Sequence, residues 1–247
     1  MVGLALALSL LIGLSLGLLG GGGSMLTLPI LSYVAGMATK PAIASSLFVV
    51  AVTSATGVIA HARAGRVRWR TGIGFGGAGM LGAFLGGRLA GYLPGRLLML
   101  MFAAMMVAAA IAMIRGRRGG ARPTMRDLAL GKVLGLGGLI GLVAGVVGAG
   151  GGFLVVPALV LLGGLRIEAA VGTSLVVISM QSFAGFFGHL GHVEIDWPLT
   201  LAVTAIAVLG SLAGGKLSGK VAPDALRKGF GGFVLVMAIV VLAKELL

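Results

Sequence analysis

The sequence predicts an all-α polytopic membrane protein built from two inverted-topology repeats. Each repeat is expected to hold about five membrane segments, one of them short and broken by glycine. Three observations carry that expectation. Of 247 residues, 58% are hydrophobic and only 10% are charged, with a mean hydropathy of +1.14; a soluble domain carries about a quarter charged residues. Apolar runs near the ~20 residues that a helix needs to cross a bilayer recur along the whole chain. A glycine-packed stretch occurs twice, as Gly20-Gly21-Gly22-Gly23-Ser24-Met25-Leu26-Thr27-Leu28-Pro29 and as Gly148-Ala149-Gly150-Gly151-Gly152-Phe153-Leu154-Val155-Val156-Pro157.

The apolar segments run roughly over 2–19, 24–35, 41–61, 72–92 and 96–114, then 128–147, 153–165, 169–188, 198–218 and 226–246. The first has no basic leader and no clear cleavage site, so it reads as a span rather than a removed signal. Between the two groups lies a linker with Arg115, Arg117, Arg118, Arg122 and Arg126, which cannot cross a membrane. It divides the chain into a first membrane repeat (1–114), a basic cytoplasmic linker (115–127) and a second repeat (128–247).

The halves are copies. At an offset of 128, Gly13 meets Gly141, Gly17 meets Gly145, Pro29 meets Pro157, Ser46 meets Ser174, Ser54 meets Ser182, His61 meets His189 and Trp69 meets Trp197. Chance supplies glycine matches in a chain with 46 glycines, but not readily both tryptophans and two of three histidines. Loop 62–71 carries four arginines, whereas its counterpart between His189 and Trp197 carries Glu194 and Asp196 and no Lys or Arg. By the positive-inside rule, loops 62–71 and 115–126 are cytoplasmic and the acidic loop is external. Equivalent loops then face opposite sides, as in an inverted repeat, and both termini are external.

A net charge of +13 would point to nucleic acid in a soluble protein. Here the bases sit in short loops, so the expected partner is the lipid bilayer and not nucleic acid. Cysteine is absent, which removes disulfides, thiolate chemistry and Cys-ligated metal. No cofactor signature and no metal site are present.

The candidate site follows from the glycine stretches. Glycine admits a positive φ and leaves its N–H uncovered. Several such N–H groups ahead of a helix form an anion-binding concavity reinforced by the helix dipole. The expected binding groups are Gly21, Gly22, Gly23 and Ser24 in the first half and Gly150, Gly151 and Gly152 in the second, with Thr27 able to add a hydroxyl. The alternative for glycine is close helix packing, which suits Gly13, Gly17, Gly141 and Gly145 at i, i+4 spacing. A second polar group follows each short segment. Ser45, Ser46, Thr53 and Ser54 stand in the first half, and Thr173, Ser174, Gln181 and Ser182 in the second. Ser46, Thr53, Thr173, Ser174 and Gln181 are assigned to the site, against the alternative of interhelical hydrogen bonding.

His61 and His189 close equivalent spans and are candidates for gating or proton linkage, or for interfacial anchoring. Arg88 and Lys216 lie near span ends, to attract an anion at the pathway mouths or to snorkel. The acids are Asp127, Glu168, Glu194, Asp196, Asp224 and Glu245, all at segment edges or in loops. A cation pump needs a carboxylate at mid-membrane, so the interior suits an anion.

The glycine turns closing on Pro29 and Pro157, with Gly172-Thr173-Ser174-Leu175 and Gly188-His189 downstream, resemble the TauE/SafE sulfite exporter family of bacterial permeases. The first half departs from the pattern, with Ala44-Ser45-Ser46 where the second has Gly172-Thr173-Ser174. The resemblance implies an inner-membrane secondary transporter of sulfite, related sulfur oxyanions or organosulfonates, with export the favoured direction. A homodimer is compatible with it. The competing readings are a passive small-anion channel and an intramembrane serine hydrolase using Ser24 with His61 or His189.

Overall fold

The structure, a computed structural model, describes residues 2–21, 23–115, 130–148, 150–161, 164–217 and 223–246. Ten helices make up these residues, with no strand among them. They are α1 (Val2–Leu19), α2 (Ser24–Pro29), α3 (Thr39–Arg63), α4 (Trp69–Ala90), α5 (Gly95–Arg115), α6 (Leu130–Val147), α7 (Gly152–Leu161), α8 (Ile167–His189), α9 (Trp197–Leu217) and α10 (Pro223–Leu246). Each coincides with an expected apolar segment to within about three residues at most ends. The exceptions are α2, which ends at Pro29 and passes into a π-helical turn where the sequence reading ran to 35, and α7, described only to Leu161 where it ran to 165. The linker 116–129 lies outside the described residues.

Proline and glycine set the short helices. Pro29 has no N–H to give, and after it the helix widens into a π-helical turn, Ile30–Val34, with the Ala35 N–H on the Ile30 carbonyl at 2.9 Å. The chain then leaves through Gly36 at φ 79°, and the Met37 N–H closes on the Leu31 carbonyl at 3.0 Å. The second half ends its short helix alike, with Gly164 at φ 60° and the Leu165 N–H on the Leu159 carbonyl at 3.1 Å. A left-handed glycine is the usual stop for a helix.

Packing crosses between the halves. Helix α4 of the first half lies along α6 and α8 of the second, and α9 lies along α1 and α3. Glycine makes this possible. A Cβ on Gly13 or Gly17 would overlap the main chain of Ala207 or Ser211, and one on Gly141 or Gly145 would overlap that of Gly79 or Ala83. These two sets of contacts match at the offset of 128. Lipid tails supply no hydrophobic drive between helices, so close backbone approach supplies the cohesion. The packing role expected as the alternative for these four glycines is therefore what they perform.

The centre is the pair α3 and α8. They run antiparallel, with His61 beside Gly172, Leu47 beside Gly185, and the Ser179 hydroxyl on the Ala51 carbonyl at 3.1 Å. Three helices among the described residues are long and apolar enough to cross a membrane: α3, α8 and α9. The most apolar windows of α3 and α8 are 67% and 72% buried, against 39% for α9, which places the first two inside the bundle. Helix α4 has 22 residues, but eight are glycine and two are arginine, and it is not among the three. Six of its glycines, all but Gly74 and Gly77, sit at close contacts with other helices.

Replacing Gly145 with leucine forces α6 from α4 and should lower the thermal stability of the purified protein by about 1–3 kcal/mol or more. Gly74→Leu, on the α4 face where a Cβ meets nothing within 4 Å, should leave it within ~0.5 kcal/mol. Thermal melts in detergent distinguish the two.

Candidate functional site at the paired helix breaks

Helix α1 ends at Gly20 and α6 at Gly148, both with φ 75°. In the second break Gly150 and Gly151 follow at φ 62° and 65°. Only glycine takes this run of left-handed conformations without strain. The two breaks touch. A Cβ on Gly21 would overlap the main chain of Gly152, and one on Gly152 would fall 2.5 Å from the Gly21 Cα. Helices α2 and α7 therefore begin beside one another in the bundle interior. Gly22 lies outside the described residues.

Each break is gripped by the core helix of the other half. The Ser46 hydroxyl of α3 lies 2.8 Å from the Gly148 carbonyl and 2.7 Å from that of Ile43. The Ser174 hydroxyl of α8 lies where it would stand 2.7 Å from a Cβ on Gly20, and it donates to the Val171 carbonyl at 2.8 Å. Two other expected site hydroxyls have local partners. Ser24 donates to the Gly21 carbonyl at 2.9 Å, and Thr173 accepts the Arg68 N–H at 3.0 Å. Ser24, Ser46 and Ser174 line the breaks and Thr173 ties α8 to the start of α4, and all four hydroxyls are already engaged.

Other polar atoms are buried without a partner. Gln181 is 0% exposed, and neither its Oε1 nor its Nε2 has a hydrogen bond. Its amide lies between Gly79 of α4, where a Cβ would overlap Nε2, and Gly151, where a Cβ would stand 3.2 Å from Oε1. The hydroxyls of Thr27, Thr53, Ser54 and Ser182 are unpartnered as well. Ser182 Oγ lies against the second break, 2.7 Å from where Gly150 would carry a Cβ. Among the described residues, nothing accepts from the N–H of Gly23, Gly150 or Gly151. An unmet buried polar group costs about 1–3 kcal/mol. Gln181 and Ser182 stand together against consecutive residues of the second break, and such a pair calls for a partner.

Among the described residues, the buried polar groups are hydroxyls, one amide and two imidazoles; none is Asp, Glu, Lys or Arg. The site can therefore offer hydrogen bonds and backbone dipoles but no counter-charge.

His61 and His189 are 2% and 3% exposed, so neither is the surface anchor that its place at a helix end suggested. His61 Nε2 lies 3.0 Å from the Gly17 carbonyl, in the last turn of α1. The carbonyls of that turn have lost their intrahelical partners, and a ring N–H supplies one. His189 Nδ1 instead lies 2.9 Å from the Gly185 carbonyl of its own helix. Each ring keeps one buried nitrogen without a partner. Arg88 is exposed, 5.9 Å over the Phe84 ring, and Lys216 is exposed. The structure brings neither to the breaks.

Sequence reasoning named Thr27, Ser54 and Ser182 as candidate hydroxyls without assigning them to the site, and did not name Gly79. The first three carried a signal, since they lie beside assigned residues. Gly79 carried none, because its use is to clear space for an amide on a different helix.

Paired broken helices meeting inside an apolar helical bundle are the architecture of a membrane transporter. The comparisons agree: the chain belongs to the sulfite exporter TauE/SafE family, whose model matches residues 5–241. A probable membrane transporter protein of Xylella fastidiosa (strain Temecula1) is 34% identical over 95% of this chain and 92% of its own length. The probable membrane transporter proteins of Haemophilus influenzae and of Bacillus subtilis (YdhB) are 27% and 25% identical, covering 96% and 84% of this chain and 96% and 86% of theirs. No solved structure matches the chain.

Gln181→Leu exchanges an unmet amide for an apolar side chain of similar volume. It should leave the ligand-free protein as stable as before, or up to ~2 kcal/mol more so. A loss above ~1 kcal/mol in thermal melts would mean that the amide is already bonded.

Proposed function

We propose that the protein is a secondary transporter that moves sulfite or a related sulfur oxyanion or organosulfonate out across the bacterial inner membrane. The observation that carries this reading is the set of unpartnered donors at the second break, where it abuts the first. Gly150 and Gly151 supply N–H groups, Ser182 supplies a hydroxyl, and Gln181 supplies an amide. Hydrocarbon offers these groups no partner, and an oxyanion satisfies several at once. The family name points to the same chemistry.

In this reading 1–114 and 128–247 are inverted repeats joined by the cytoplasmic linker 115–127, and access alternates as one repeat rocks against the other. The antiparallel course of α3 and α8 supports the inversion. So does the placement of the loop after α3 and the loop after α8, repeat equivalents that lie at opposite ends of that pair. The arginine loop 62–71 then faces the cytoplasm, and both termini lie outside. The contact of Gly21 with Gly152 favours a carrier over a passive channel, since main chain blocks the middle of the path. A serine hydrolase is disfavoured by geometry. Ser24 donates to Gly21, and the imidazole Nε2 of His61 is committed to Gly17; a nucleophile needs its base within hydrogen-bond reach.

Proteoliposomes loaded with sulfite should release it with saturable, counter-flow-stimulated kinetics. Gly150→Leu, which puts a side chain at a left-handed residue facing Ser182, should slow release at least tenfold. Protein-bearing liposomes that leak no faster than empty ones for sulfite, sulfonates and thiosulfate alike would end the proposal.

A further inference from the structure

The unpartnered groups at the breaks are not all of one kind. From them we infer that the site takes an anion with a single negative charge and one hydrogen-bond donor of its own. For sulfite, this is the hydrogensulfite ion and not the dianion. The inference rests on the transport reading and narrows its substrate to one protonation state.

Charge comes first. No described buried side chain is Lys or Arg, and the two buried histidines lie at the ends of the α3–α8 pair, so no fixed cation stands at the breaks to neutralise the guest. The cost of taking an ion out of water rises with the square of its charge, so a dianion costs about four times what a monoanion does. Backbone N–H groups and hydroxyls return part of that cost through charge-assisted hydrogen bonds. The described cluster is modest, with the N–H groups of Gly150 and Gly151 and the Ser182 hydroxyl.

The amide adds a stricter demand. The hydroxyls of Thr27, Thr53, Ser54 and Ser182 can rotate to donate or accept. The glycine N–H groups can only donate. The Gln181 amide has one end that only donates and one that only accepts, whichever way round it is assigned. One end lies against Gly79 and the other against Gly151, and both are without a partner. A fully ionised oxyanion brings lone pairs to that oxygen and leaves it unmet. An anion that keeps one proton satisfies it. Sites built to bond a particular hydrogen reject analogues that lack it, because their own buried group is stranded. The equivalent place in the first half holds Thr53, whose hydroxyl imposes no such demand. The requirement therefore comes from one side of the site.

The titration that matters is the substrate's. Gln181 is faced by Gly79 on α4, and Gly151 beside it packs on Ala144 and Ile140 of α6. None of these ionises. The buried ionisable side chains among the described residues are His61 and His189, at opposite ends of the α3–α8 pair, with His189 two turns beyond Gln181.

The test uses the full chain in proteoliposomes, with initial sulfite flux measured from one pH unit below the second ionisation of sulfurous acid to one unit above. KM in total sulfite should rise about tenfold, the factor by which the hydrogensulfite fraction falls, while Vmax holds. Sulfate, a dianion without a proton, should not compete. Gln181→Leu should flatten the rise in KM. A KM in total sulfite that stays constant overturns the inference, and so does sulfate competing as well as sulfite. A fall in Vmax at constant KM overturns it too, by assigning the pH effect to the histidines. In each of those outcomes transport itself survives. If no anion moves at all, the transport reading fails instead. The wild-type measurements decide the matter even if the variant does not fold.

Discussion

Main chain meets main chain where Gly21 abuts Gly152, and the other features of the interior follow from that contact. Two peptide backbones can approach this closely only where neither carries a Cβ. A backbone inside a membrane can leave the helix only where its freed N–H and C=O groups find partners. The first condition explains why glycine is packed into residues 20–23 and 150–152. The second explains why the serines of α3 and α8 stand beside the breaks. Ser46 reaches the Gly148 carbonyl and Ser174 abuts Gly20, so each half supports the chain that the other half has unwound. The first half adds support of its own, through His61 on the Gly17 carbonyl and Ser24 on that of Gly21.

The crossing also accounts for the glycines of the long helices. Helices α1 and α6 have to deliver their C-terminal ends to a common centre, and they do so strapped to α9 and α4. Ala207 and Ser211 lie under Gly13 and Gly17, and Gly79 and Ala83 lie under Gly141 and Gly145. The cost falls on hydropathy. Helix α4, with eight glycines, is long enough for a span without being apolar enough to be recognised as one. A chain that economised on glycine would gain apolar surface and lose the register that brings the breaks together.

Nearly all of the helix plan was legible in the sequence, because runs of apolar residues between glycine, proline and arginine leave few alternatives. The breaks were legible for the same reason. Four consecutive glycines ahead of a proline do not continue a membrane helix. The roles of the hydroxyls were not, since a serine deep in a span reads alike whether it lines a path or bonds a carbonyl. Ser46 and Thr173 were assigned to the path, and they bond main chain. Ser182 was passed over and is unpartnered. What separates them is the position of a main-chain group, the Gly148 carbonyl or the Arg68 N–H, from a segment more than a hundred residues away. His61 shows the same limit. Its place at the end of a polar-flanked helix suggests the membrane surface, and only the orphaned carbonyl of Gly17, from a different helix, draws it inside.

The two halves supply a nearly symmetric frame for a site that is not symmetric. Gln181 stands where the first half has Thr53, and Gly152 where it has Ser24. The free N–H groups of Gly150 and Gly151, the amide of Gln181 and the hydroxyl of Ser182 all belong to the second half. In the proposed cycle the guest is then held chiefly by α7 and α8, and the first break moves against it. In that proposed cycle, rocking one half against the other requires two equivalent end states, which a symmetric frame supplies. The proposed guest, a small pyramidal anion, has no two-fold axis to match, so the two half-sites are free to differ. The glycines between the long helices stay paired across the offset, while Gln181 and Thr53, and Gly152 and Ser24, do not match.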